Sequence, residues 1–443
     1  PFWTKDRMPL ALPAASGVLC AAPLLFIWQR RQREQEEDVA PPPVKPKGPD
    51  DARCEVLPGG PFMGQDKWLG GVQSLCGKYI YGVPGKAQQA LRIEVATGKV
   101  DMMGGPFPGP FKWLRGAESP LDQCLYCMPS NADSVLCIDP CTQETLTIGG
   151  PLEGDWKWHG GNLGNDGNIY GVPANATQVL KVDPRTKIVT QFGGPFEGRQ
   201  KWYGGLKATN GCIYCIPQNA SGVLKIKPET GECTVLGSLG DGGWKWHGGV
   251  VAGDGSLIYG IPCNSDSVLK VDSKTDTVSL IGGGLKSGRH RDDDKYKYLG
   301  GGVGGDGKVY FFPSDAERVC RVDPETDEVT LVGPKFMEGM NKWQNGFAAR
   351  DGAVYAIPQR AHGVLRICPA PPGSDRDPEV TSLWCGSVDA DMKDKFEGGV
   401  MGSDDCIYCI PLRAKDVLKI VPGPLIHTGI AAHEGLDCRN YHA

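Results

Sequence analysis

KWHGGVVAGDGSLIYGIPCNSDSVLKVDSKTDTVSLIGG, residues 245 to 283, holds a complete structural unit. It parses into four short strands. The first runs from Trp246 to Ala252 and ends at Asp254-Gly255, a dipeptide that favours a tight hairpin turn. The second, Leu257 to Pro262, closes on a proline, which cannot donate to a further ladder bond. A polar turn at Asn264-Ser265-Asp266 leads to the third strand, Val268 to Asp272, and the fourth spans Val278 to Gly282. Each strand is rich in Val, Ile, Leu or Tyr and is bounded by Gly, Pro, Asn or Asp.

The unit recurs. Lys-Trp stands at Lys67-Trp68, Lys112-Trp113, Lys157-Trp158, Lys201-Trp202, Lys245-Trp246 and Lys342-Trp343, with Lys297-Tyr298 and Lys395-Phe396 as variants. Steps between the eight lysines are 45, 45, 44, 44, 52, 45 and 53 residues. Every unit keeps an aliphatic-Tyr pair in its second strand, from Ile80-Tyr81 to Ile407-Tyr408, and a closing proline, from Pro84 to Pro411. Four strands every ~45 residues is the period of a propeller blade. Gly-Gly in the first strand suits the crowded centre of a ring.

The chain ends predict closure. After Glu397–Met401, Ile407–Pro411 and Val417–Val421 the last unit lacks a clear fourth strand, while Cys54 to Gly60 matches the fourth-strand pattern of the other units. The N-terminal strand is therefore expected to complete the last blade and leave no open edge. The expected fold is all-β: an eight-bladed propeller over residues 54–422. Two insertions, 284–296 and 369–380, interrupt the period. Both read as solvated filler more readily than as functional loops.

Composition agrees with a chain that turns often. Gly (63) and Pro (36) make up more than a fifth of the 443 residues, against ~12% in average usage. The net charge of −5 excludes a broadly basic nucleic-acid surface. Seventeen cysteines leave the redox compartment open, and an odd number implies at least one thiol that is free or paired elsewhere.

Residues 1–33 form a different region. Met8 to Trp28 is uncharged over 21 residues, long enough as one helix to cross a ~30 Å hydrocarbon core. Arg30, Arg31 and Arg33 follow it, and Lys5 and Arg7 precede it. The charge bias weakly favours a propeller on the stromal or matrix side of an organellar membrane, thylakoid or mitochondrial inner. Pro23 is expected to kink the span, as helices packed within an assembly tolerate. The start at Pro1 suggests cleavage of a targeting peptide. Residues 34–53 read as a charged, Pro-rich linker, and 423–443 as a tail without period.

Candidate chemistry is sparse. The pairs Cys124/Cys127, Cys212/Cys215 and Cys406/Cys409 lie on second strands, where residues three apart face opposite sides and cannot share a metal. Small buried residues are the better reading. Cys137 and Cys141 flank a turn that a disulfide could bridge. His159 and His247 share one slot in blades three and five, which are not neighbours, so the slot reads as tolerant of variation. Asn175 and Asn219 begin glycosylation sequons, but both sit in turns whose chemistry explains an asparagine. No hydrolase elbow, phosphate loop, dinucleotide fingerprint or zinc-protease motif occurs. No set of unique Asp, Glu or His at inner-strand positions stands out. No catalytic, cofactor-binding or metal-binding residue is therefore assigned.

The KWHGG, IYGIP and VLKVDP segments over residues 54–422 resemble the repeat of uncharacterised propeller proteins of marine single-celled algae, dinoflagellates especially. That resemblance implies the fold and carries over no catalytic residue. The expected function is a non-catalytic, membrane-anchored accessory or scaffold subunit of a photosynthetic or respiratory membrane complex. Its expected partners are other subunits and, through residues 8–28, membrane lipid. A propeller enzyme with a metal or sugar-like ligand in its channel, and a glycan-binding surface protein, remain the alternatives.

Overall fold

The computed structural model describes residues 38–426 except 49, 338, 372, 373, 375 and 387. The chain divides into Pro1–Val39 and Ala40–Ala443. The expected membrane span at residues 8–28 lies outside the described residues. Among those described, no helix is long and apolar enough to cross a membrane.

The second unit is the expected propeller: eight four-stranded antiparallel sheets, each a meander. Blades one to seven begin at Trp68, Trp113, Trp158, Trp202, Trp246, Tyr298 and Trp343. Blade eight contains Phe396–Met401, Ile407–Pro411 and Val417–Val421, and its outer strand is Arg53–Leu57. That closing strand pairs antiparallel with Val417–Val421, from Arg53 opposite Val421 to Leu57 opposite Val417. In blade five the first three strands have the expected bounds, and the fourth is Thr277–Ile281, one residue earlier than read. The insertion 284–296 falls in the loop before blade six, and 369–380 fills the loop between the outer strands of blade seven and ends inside the outermost strand, Glu379–Trp384.

The first strands form the inner ring, each packed on the first strand of the next blade. Small residues permit that approach. A Cβ on Gly71 would stand 2.7 Å from Val400 Cγ2, which belongs to the neighbouring inner strand. Outside the ring, apolar clusters fill each gap between blades. Trp158 of blade three, for example, packs with Tyr126, Met128 and Val135 of blade two. Its indole N–H donates to Gln178 O at 2.9 Å, so the buried polar edge is satisfied.

The lysine of each Lys-Trp pair, which sequence alone would place in solvent, is buried, or half-buried at Lys245. Lys201 Nζ donates to Ala174 O and Ala176 O of the preceding blade and to Gly198 O of its own loop, at 2.9, 2.9 and 3.1 Å. Lys67 makes the same clasp on Leu412 O and Ala414 O, across the point where the ring closes. Burial pushes Lys67, Lys112 and Lys201 down to about 8. The turn asparagines complete the joint: Asn175 Oδ1 accepts from Gln200 N at 2.8 Å, and Asn219 Oδ1 from Trp244 N at 3.0 Å. Both sequon asparagines thus tie one blade to the entry of the next.

Part of the expected linker is also ordered on the ring. Ala40 N donates to Lys335 O, Val44 N donates to Ser382 O and accepts from Trp384 N at its carbonyl, and Lys45 Nζ lies 4.8 Å from the Trp384 ring. Residues 40–45 therefore run along the outer edge of blade seven, and Val44 forms a parallel bridge with Leu383. The capping of that edge explains how a sheet with an exposed Trp384 avoids an open ladder.

Candidate functional site

At the axis, the inner strands begin aromatic-x-Gly-Gly in six blades, with a bulge after the aromatic in all eight. The first glycine takes positive φ at Gly70, Gly160, Gly204, Gly248 and Gly398, between 70° and 81°. Blades two and seven place Arg115 and Asn345 there, at φ 54° and 57°. Asparagine tolerates that conformation, whereas a long side chain rarely adopts it, so the surrounding fold imposes it on Arg115.

The two exceptions meet. Arg115 Nη2 donates to Asn345 Oδ1 at 3.2 Å, joining blades that stand three places apart around the ring. Space for this reach comes from blade one, where a Cβ on Gly70 would lie 2.9 Å from Arg115 Cγ. Because Oδ1 accepts from the guanidinium, the Asn345 Nδ2 amino group is the free end of the amide. It is buried and has no hydrogen-bond partner among the described residues. The pair lines a cavity of about 110 Å³ whose other side chains include Gln73, Glu118, Asn162 and Phe347, with glycine backbone between them.

The x positions of the eight inner strands, one residue before the layer of Arg115 and Asn345, are Leu69, Leu114, His159, Tyr203, His247, Leu299, Gln344 and Glu397, and none of them lines the cavity. His159 and His247 do not touch each other, but Tyr203 of the intervening blade stacks on both, with ring centroids at 3.6 and 3.8 Å. The slot is thus not merely tolerant: across blades three to five it builds a continuous aromatic stack. On the other side, Gln344 Nε2 donates to Glu397 Oε1 at 3.4 Å. Burial, aided by the Arg115 charge, holds His159 well below the usual histidine range and His247 down to about 3. Burial raises the Glu397 carboxyl, and Arg115 opposes that shift. Burial and then Glu397 push the Tyr203 phenol up.

A pH dependence follows. Both imidazoles are neutral in the fold and take up protons more readily once unfolded. Their contribution is complete above the unfolded value of about 6.5 and is lost as pH falls toward about 3. Replacing both with the leucine of blades one, two and six (H159L with H247L) should flatten stability between pH 6.5 and 5 by roughly 2 kcal/mol per pH unit relative to the parent, measured by denaturant titration. An unchanged slope would remove the histidines from that balance.

The sequence reading considered only Asp, Glu and His at the inner strands, and the structure adds the Arg115–Asn345 pair to them. Arg115, Asn345, His159, Tyr203, His247, Gln344 and Glu397 break the repeat; Arg115 and Asn345 meet at the cavity, and the Arg115 charge reaches His159, Tyr203, His247 and Glu397. The signal was present in two adjacent letters of each unit, but a search restricted to Asp, Glu and His passed over Arg115 and Asn345.

Elsewhere the cysteine readings divide. Cys124 and Cys127 pack on opposite faces of blade two, Cys212 and Cys215 likewise on blade four, and Cys406 and Cys409 on blade eight. A Cys137–Cys141 bridge is contradicted: both thiols are free. Cys137 is buried and accepts from Lys187 Nζ at 3.7 Å, while Cys141 stays exposed.

Residues 75–238 match the sequence pattern of a family described as a repeat of unknown function (DUF6923). No curated protein matches the chain. Among solved structures, the chain is similar to a streptogramin B lyase, with 12% identity, a TM-score of 0.52, and coverage of 84% of this chain and 98% of that one. It is also similar to the catalytically inactive virginiamycin B lyase from Staphylococcus aureus with quinupristin, with 11% identity, a TM-score of 0.53, and coverage of 84% and 99%. At such identities the likeness shows the propeller fold alone.

Proposed function

We propose that this propeller is a binding module, not a catalyst, and that it holds a small oxygen-rich anion such as a carboxylate at the axial mouth. The observation that carries the reading is the Arg115–Asn345 pair, in left-handed backbone where five blades use glycine. The guanidinium supplies charge. The buried Asn345 amino group adds a donor that awaits an acceptor oxygen. An orphan donor beside a cation selects an acceptor-bearing ligand, and a cavity of about 110 Å³ suits a small one.

The test is a panel of short mono- and dicarboxylates, each titrated against the protein while its melting temperature is followed. A saturable rise with at least one member is expected, since a ligand that binds only the folded state stabilises it by mass action. If no member raises the melting temperature, the reading fails.

A second reading, in which the ring is a scaffold subunit tethered through residues 8–28 to a larger organellar membrane complex, is favoured by the uncharged 21-residue stretch and the following arginines. Migration of the native chain with a large assembly on a native gel supports it. Migration near 47.5 kDa plus detergent counts against it.

A further inference from the structure

The ring closes through backbone pairing of one short strand, and two cysteines meet beside that closure. Cys54 lies on the closing strand Arg53–Leu57, the outer strand of blade eight. Cys385 directly follows Glu379–Trp384, the outer strand of blade seven. The two outer strands are in contact. Cys54 packs against the apolar cluster that holds Cys385 with Ala52, Leu383, Leu418 and Ile420. Both thiols are unbridged, each in reach of the other's influence across the contact between the two outer strands.

We propose that Cys54 and Cys385 are an oxidation site, forming a disulfide that fastens the closing strand to blade seven. The surroundings favour the chemistry. The neighbouring Cys54 thiol and, more weakly, the Lys395 charge favour a thiolate at Cys385 against the burial that opposes it. The oxidant is a low-molecular-weight disulfide. One cysteine thiolate attacks it and releases the first small thiol. The second cysteine gives up its proton, and its sulfur displaces the other half. The Sγ–Sγ bond forms, two protein thiols lose two electrons, and the external disulfide is reduced to two thiols. Blades one to seven then lie within a single covalent loop, and the closing strand cannot peel away without unfolding the ring. Bridging so long a loop is where a disulfide constrains the unfolded chain most.

The experiment exposes the full-length protein in mild detergent to oxidised glutathione, followed by alkylation and peptide mapping by mass spectrometry. A Cys54–Cys385 linked peptide, two hydrogens lighter than the reduced pair, is expected. Unfolding in denaturant should slow by at least about tenfold on oxidation and recover on reduction. C385S should lose the linked peptide and the slowing, whereas C409S and C368S, which remove the remaining thiols of that cluster, should keep both. Should C385S not fold, the mapping on the parent protein decides alone. Linkage of Cys54 to Cys409, mixed disulfides only, or unmodified thiols at both positions would overturn the proposal.

Discussion

A chain that begins at residue 58 is expected to lose its closed monomeric ring. Removing Arg53–Leu57 exposes the outer edge of Val417–Val421, a five-residue row of unpaired backbone groups. It also uncovers apolar surface, because Leu57 and Ala52 are buried and Val56 packs against the blade seven–eight core. Loss of those contacts should lower the unfolding free energy by on the order of 5 kcal/mol, a large share of the ~5–15 kcal/mol typical of native proteins. Size-exclusion chromatography with light scattering should show dimers or larger species, formed by edge pairing, where a chain beginning at residue 38 stays monomeric. A peptide covering residues 50–58 should restore the monomer. A stable, monomeric truncated chain would mean that the closing strand contributes little.

Lys201→Met should be the most damaging single change outside the cavities. The methionine keeps the length and apolar stem of the lysine but removes three donors from Ala174 O, Ala176 O and Gly198 O. Bonds to a charged donor are worth ~1.5–3 kcal/mol each, and relief of the ammonium's burial offsets part of that loss, leaving a net cost of about 2–4 kcal/mol. The burial that pushes Lys201 down to about 8 is the source of that offset. Lys393→Met, at an exposed position, should change stability by less than about 0.5 kcal/mol. Equal effects of the two substitutions in denaturant titrations would show that the buried clasps do not hold the blades together.

The repeat made the ring readable before any coordinates. Proline at the end of each second strand, Asp-Gly at the hairpins and the unpaired fourth-strand pattern at Cys54 are local rules that survive folding unchanged. The lysines were different. Nothing in the letters Lys-Trp says that the ammonium will be enclosed by carbonyls of the preceding blade, since that depends on how two units dock. The axial site was hidden for a related reason. Arg115 and Asn345 are 230 residues apart, and each looks like one deviant letter until the ring brings blades two and seven into reach. The stack of His159, Tyr203 and His247 likewise needs the third, intervening blade. What a unit does with itself is written locally. What units do with one another appears only once they are arranged in space.

Arg115→Gly restores the letter that most blades carry, which makes its stability and its ligand response the most direct measurement on the axial site. The expected result is a variant at least as stable as the parent, because a left-handed arginine is relieved, in which the saturable melting-temperature rise with a small carboxylate is lost. A variant that is clearly destabilised yet responds to the carboxylate as the parent does would contradict it, and would make Arg115 a structural brace across the channel.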